Sequence, residues 1–186
     1  MESLHFKEIN GPVLFEPKVF QDERGYFFES FTQKKFEELT GLKLDFVQDN
    51  HVFSKKGVLR GMHWQTKNPM DKLVRCVRGE IYDVAVDIRK SSPTYKKFIG
   101  VVLSEENRKM FLVPKGFAHG YLALTKETVV LYKCSNVYCP EGERAFRYSD
   151  PDIAIDWPEV EVPVVQNAKD KEAPFFSELK ESDLFP

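Results

Sequence analysis

Histidine is the side chain that titrates near neutrality without help, and two of the four histidines in this sequence stand in settings that suggest chemistry. His63 lies in Gly57-Val-Leu-Arg-Gly-Met-His-Trp-Gln65, a β-rich run interrupted by Gly61. A glycine inside a strand often marks the close approach of a ligand or of another backbone. Arg60 stands three residues before His63 and Lys72 follows shortly after. A lone strand histidine is usually a satisfied core residue, but a buried strand does not gather a histidine and two cations without an anion to receive them. His119 follows Pro114-Lys-Gly-Phe-Ala, and there Pro114 and Gly116 are also explained by turn chemistry. Asp83 and Asp87 alternate against Tyr82, Val84, Val86 and Ile88, so the face carrying them either lines a site or meets water. Tyr132, between Leu131 and Lys133, has an ordinary strand aromatic as its alternative reading.

These groups are positioned by strands. Short β-rich runs separated by turn residues dominate, at Val13–Pro17, Tyr26–Ser30, Lys43–Asn50, Gly57–Gln65, Leu73–Arg78, Glu80–Ile88, Lys97–Leu103, Lys109–Val113, Gly120–Leu124 and Thr128–Ser135. So many strands of similar length imply a sandwich or barrel. Helical signals are few: Thr32 before Gln33–Leu39 with Gly41 beyond the end, a turn at Ser104–Met110, and the charged segment Phe176–Leu184. Pro114-x-Gly116-x-x-His119 resembles the second signature half of a cupin barrel, and His63 occupies the place of the first half. The expected architecture is therefore mostly β, a cupin-type double-stranded β-helix (jelly roll) with a few short peripheral helices. Metal-binding cupins offer His-x-His at the first half, whereas here the run is His63-Trp64-Gln65. A neutral glutamine is a poor ligand for a transition metal, so no metal is expected; no other cofactor is expected either.

The length of 186 residues and 42% hydrophobic content fit one domain, 1–186, with a sizeable core. The 27 basic and 29 acidic residues nearly cancel, which argues against a nucleic acid polymer or a membrane as partner and leaves any anionic ligand to locally placed Arg and Lys. Cys76, Cys134 and Cys139 are odd in number and lack Cys-x-x-Cys spacing, which fits a reducing compartment. No run reaches the roughly 18 apolar residues of a membrane span, and no leader pattern is evident. A cytoplasmic protein is expected.

Over nearly its full length the chain resembles the dTDP-4-dehydrorhamnose 3,5-epimerase family. The resemblance is carried by Phe20-Gln-Asp-Glu-Arg-Gly-Tyr-Phe-Phe-Glu-Ser30, Phe46-Val-Gln-Asp-Asn50, the His63 run, Lys72-Leu-Val-Arg-Cys76, Asp83-Val-Ala-Val-Asp-Ile-Arg89, the His119 run, Tyr132-Lys133 and Asp150-Pro-Asp-Ile-Ala-Ile-Asp-Trp-Pro158. It implies that His63 is a general base supported by Asp170, that Tyr132 is the acid, and that Lys72 faces the C4 carbonyl oxygen. His119 and Asp83 become a second His–Asp pair in the same pocket. Arg24, Glu29, Gln48, Asn50, Arg60, Lys72, His119, Tyr138, Glu143 and Lys169 match substrate-binding positions. The implied substrate is a dTDP-4-keto-6-deoxyhexose, epimerised at C3 and C5 on the way to dTDP-L-rhamnose. The implied assembly is a homodimer whose N-terminal strand crosses to the neighbouring barrel, taking Arg24 and Glu29 to the partner's site. The chain departs from the family pattern at Met62, Trp64, Tyr121 and Asn167, in ways that preserve size or polarity. Alternatives are a relative that inverts C3 or C5 alone, a metal-dependent cupin oxygenase and a non-catalytic sugar-nucleotide-binding cupin.

Overall fold

Period-two alternation in the sequence becomes two packed antiparallel sheets in the computed structural model, which describes residues 1–5 and 11–186. The strands are β1 (Glu2–His5), β2 (Val13–Glu16), β3 (Phe20–Asp22), β4 (Gly25–Phe27), β5 (Gln48–Lys55), β6 (Leu59–Gln65), β7 (Lys72–Arg78), β8 (Glu80–Asp87), β9 (Phe98–Ser104), β10 (Met110–Val113), β11 (Phe117–Ala123), β12 (Glu127–Cys134) and β13 (Glu143–Ala145). One sheet has the order β1-β2-β10-β7-β12-β5 and the other β13-β6-β11-β8-β9, while β3 and β4 form a separate two-stranded ribbon. The fold is mostly β and cupin-like, as the sequence implies.

Both sheets contribute to the space between them. Val74, Cys76, Phe111 and Val130 from the first sheet pack with Ile81, Ala85, Leu103 and Tyr121 from the second. The outer face of the first sheet is covered by α1 (Gln33–Thr40) and its flanks, where Phe36 meets Val13, Phe15 and Leu112. The outer face of the second is covered by the chain after β13, where Phe146, Ile153 and Phe176 meet Met62, Val84 and Ile88. Around β8 and β11 the second sheet is thus buried on both faces. This decides the two readings of Asp83 and Asp87: neither meets water, and both are fully buried. Asp87 accepts from Arg89 Nε at 2.8 Å and Arg89 Nη2 at 2.7 Å, and from Ser92 Oγ at 2.6 Å and Thr94 Oγ1 at 2.5 Å. It is an internal structural anchor.

Several boundaries differ from the sequence reading for local reasons. The strand expected at Lys43–Asn50 starts at Gln48 and runs on to Lys55, because Leu44 and Phe46 are used instead to pack beside Phe36. β11 begins at Phe117 rather than Gly120, which places His119 inside a strand. Ser104–Met110 forms no helix: Asn107 Oδ1 accepts from the backbone of Ser104 and Lys109, and Arg108 adopts φ 56°, a side-chain-directed turn. Phe176–Leu184 breaks into two 3₁₀ turns, Phe176–Glu178 and Glu181–Asp183, because Glu178 and Asp183 each cap their own short turn. α1 ends as read, with Gly41 at φ 71° and its N–H on Glu37 O at 2.8 Å.

Candidate active site

β6 and β11 place His63 and His119 directly opposite each other. Immediately beyond them the register shifts, so that Tyr121 pairs with Arg60. Gly61 sits at this irregularity with φ 135°, and a Cβ there would stand 2.5 Å from Gly120 Cα. A bulge re-aims the side chains on either side of it.

The His63 ring is tied to a carboxylate remote in sequence. Nε2 lies 2.7 Å from Asp170 Oδ1, and the Gly61 N–H reaches Oδ2 at 3.3 Å. Asp170 belongs to α2 (Ala168–Lys171), whose N-terminus is capped by Asn167 Oδ1 on the Asp170 N–H at 2.7 Å. Burial would raise the Asp170 carboxyl, but the hydrogen bond and charge of His63, the Gly61 N–H and Lys169 outweigh it and hold the group below its ordinary value. An ionised carboxylate only accepts, so Nε2 carries a proton toward Asp170, and in the neutral ring this leaves the lone pair on Nδ1. The second pair repeats the arrangement, with His119 Nε2 2.7 Å from Asp83 Oδ1. Burial lowers His119, with Asp83 opposing and Lys72 and His63 adding to the decrease. Asp83 Oδ2 is buried without a hydrogen-bond partner.

Opposite the histidines stand Lys72 on β7 and Tyr132 on β12. Burial pushes the Lys72 ammonium down, against Cys134, Asp83 and Glu143. Burial, aided by Cys134 and Tyr121, pushes the Tyr132 phenol up to about 12, so it keeps its proton across the physiological range.

His63, His119, Lys72 and Tyr132 all line one cavity of about 330 Å³. Gln48, Asn50, Tyr138 and Glu143 line it as well. They form a connected rim: the Tyr138 hydroxyl donates to Glu143 at 2.6 Å, Lys169 pairs with Glu143, and Gln48 accepts from the Tyr138 N–H at 2.9 Å. Arg60, Arg24 and Glu29 do not line it. Arg60 holds Ser54 Oγ at 3.2 Å, Arg24 pairs with Asp22 in the exposed ribbon, and Glu29 pairs with Lys35. Gln65, in place of a metal-binding histidine, staples loops: its Oε1 accepts from the Cys139 N–H at 2.9 Å and its Nε2 donates to Asn68 O at 2.8 Å. Among the described residues no three His, Cys, Asp or Glu side chains converge as a metal site.

The family model described as dTDP-4-dehydrorhamnose 3,5-epimerase matches residues 7–178. The chain belongs to this family. An epimerase of that name from Methanothermobacter thermautotrophicus is 54% identical over 150 residues, spanning 81% of this chain and 80% of its own. Its counterpart from Salmonella typhimurium is 51% identical over 167 residues, or 89% and 91% of the two chains. The crystal structure of a Legionella pneumophila dTDP-6-deoxy-D-glucose-3,5-epimerase in complex with dTDP-4-keto-L-rhamnose matches with a TM-score of 0.95 at 44% identity, covering 99% of this chain and 97% of that one. The chain is an isomerase, a 3,5-epimerase of dTDP-L-rhamnose biosynthesis.

In this epimerase the cavity also uses residues the sequence reading missed. Val113, Phe117 and Cys134 are inward positions of their strands and were open to period-two reasoning. Met70 and Phe185 lie on irregular segments and carry no such signal.

Proposed function

We propose that this epimerase inverts C3 and C5 of dTDP-4-dehydro-6-deoxy-D-glucose with His63 as base, Tyr132 as acid and Lys72 as the cation at the C4 oxygen. The observation that carries the reading is the convergence of two His–Asp pairs, a half-buried lysine and a protonated tyrosine on one cavity. The hydrogens at C3 and C5 are both α to the ketone, so either leaves as a proton once the enolate is stabilised. His63 Nδ1 takes it, and Asp170 stabilises the imidazolium that forms. Charge building on O4 meets the Lys72 ammonium in a cavity withdrawn from bulk water, where it acts more strongly than in free solution. Tyr132 returns a proton from the opposite face, which makes the outcome inversion rather than exchange. Asp83, bonded to His119 through Oδ1, holds that ring in place behind the cavity wall.

The nucleotide falls to Gln48, Asn50, Tyr138, Glu143 and Lys169 at the rim, with Arg60 near the phosphates. Arg24 and Glu29 act in the site of a second copy, in a homodimer built by exchange of the N-terminal strand region. The β3–β4 ribbon supports this: it exposes Phe20 at 55%, Tyr26 at 55% and Phe27 at 69%, an aromatic surface too extensive for a ribbon that faces water. Among the described residues no helix is long and apolar enough to cross a membrane, and the three cysteines are free and buried. Both fit a cytoplasmic enzyme.

Incubation with dTDP-4-keto-6-deoxyglucose in deuterated water tests the reading. Deuterium at both C3 and C5 with the L-rhamno product is expected, and its loss in His63→Ala. Label at one carbon alone would point to the C3-only or C5-only reaction, and wild-type exchange in His63→Ala would refute the assignment of the base.

A further inference from the structure

The strand order sorts the cavity into three zones. In the second sheet Glu143 stands on the edge strand β13, His63 and His119 follow on β6 and β11, and Phe185 pairs beside the end of β8. In the first sheet the order is the same: Gln48 on the edge strand β5, Tyr132 on β12, Lys72 on β7, then Val113 on β10. From β13 to β8 is three strand steps of about 4.8 Å, roughly 14 Å. A polar rim therefore lies at one end, the proton-moving groups in the middle, and Val113, Pro114, Phe117 and Phe185 at the other.

The far end is fixed in place. The Phe185 N–H bonds Ile88 O at 3.2 Å, and Phe185 O accepts from the Lys90 N–H at 2.9 Å. Two residues earlier, Asp183 O accepts from Trp64 Nε1 at 2.6 Å, and Asp183 Oδ1 accepts from Arg144 Nε at 2.6 Å. Trp64 adjoins His63 and Arg144 adjoins Glu143 in the chain. The segment carrying Phe185 is thus stapled to the strands that carry the site.

We propose that Phe185 is a specificity-determining residue, forming with Val113 and Phe117 an apolar end wall that takes the C6 methyl of a 6-deoxy sugar and disfavours a 6-hydroxyl. The inference rests on the epimerase reading, in which the nucleotide occupies the polar rim. The diphosphate is attached at C1, so the sugar edge furthest from the rim is C4 with its neighbour C5, which bears C6. A methyl group loses nothing by entering an apolar wall, whereas a hydroxyl enters without a partner. A hydrophobic pocket discriminates against an added hydroxyl by up to about 10²-fold, which bounds the effect.

The test compares dTDP-4-keto-6-deoxyglucose with its 6-hydroxy analogue, dTDP-4-ketoglucose, by kcat/KM for deuterium exchange. The wild type, Phe185→Ala and Phe185→Leu are assayed, with dTDP affinity measured alongside. A wild-type preference for the deoxy sugar of about 10- to 100-fold is expected. It should shrink at least about fivefold in Phe185→Ala, return in Phe185→Leu, and leave dTDP affinity within about twofold. The proposal is overturned by an equal preference in wild type and Phe185→Ala, by no preference in the wild type, or by loss of dTDP affinity in step with activity. Retained dTDP binding shows that the variant is folded. Failure of the wild type to exchange either sugar would instead sink the epimerase reading itself.

Discussion

Replacing Asp170 by Asn changes one atom in a side chain that is 1% exposed, and the structure sets the consequence. The carboxylate serves two donors, His63 Nε2 at 2.7 Å and the Gly61 N–H at 3.3 Å. An amide can accept from only one of them. If its oxygen stays on His63, its NH₂ opposes the Gly61 N–H. If it turns, the NH₂ donates to Nε2, and the imidazole must carry its proton on Nδ1, the nitrogen needed as base. In either orientation the imidazolium formed on proton abstraction has lost its counter-charge. Leaving a buried charge without its partner costs about 3–5 kcal/mol. At about 1.36 kcal/mol per tenfold, kcat should fall by about two to four orders of magnitude. KM and dTDP affinity should change little, since Asp170 is covered by His63 and Gly61 rather than lining the cavity. Deuterium exchange at C3, followed by NMR alongside dTDP titration, measures both quantities. A kcat within about threefold of wild type, with the fold intact, would show that the His63–Asp170 pair is structural.

On the proposed roles, Tyr132→Phe removes the returning proton but leaves the base, so wash-in of deuterium should persist while formation of the L-rhamno product falls by about two to four orders of magnitude; equal loss of both would place Tyr132 in the abstraction step. Gly61→Ala should destabilise by about 2–5 kcal/mol in urea unfolding, combining a strained φ with an overpacked strand crossing; an unchanged midpoint would mean the β6–β11 contact is looser than the 2.5 Å approach implies. Asp87→Asn should cost about 3–5 kcal/mol at neutral pH. For Asp87, burial raises the carboxyl, but Arg89, Ser92 and Thr94 outweigh it and the net shift is downward. Its contribution is therefore present above the ordinary carboxylate pKa and lost as pH falls through the lowered folded value, so the gap between wild type and variant should close in acid. On the proposed strand-exchanged homodimer, mixing Arg24→Ala with His63→Ala subunits should restore about a quarter of wild-type activity, because half the dimers would be mixed and each of those would hold one complete site. No recovery would place Arg24 in the site of its own chain.

What the sequence made legible was whatever is encoded within one strand. His63, Lys72, Asp83, His119 and Tyr132 could be placed on β-runs because alternation is a local property, and the glycine at 61 announced a close approach that the Gly61–Gly120 contact supplies. Pairing across the fold carries no local mark. Asp170 is 107 residues from His63, and without the family resemblance the Asn-Ala-Lys-Asp turn reads as an exposed charged segment. The same limit explains Arg60. In a regular strand, residues three apart face opposite sides, so Arg60 and His63 should not serve one interior. The register shift at Gly61 breaks that rule: Arg60, beside Tyr121, reaches across to Ser54 on the opposite sheet while His63 faces His119 and the cavity. Period-two reasoning fails at the bulge because a bulge re-aims side chains, and a bulge beside the two facing histidines is where the cavity most needs that freedom.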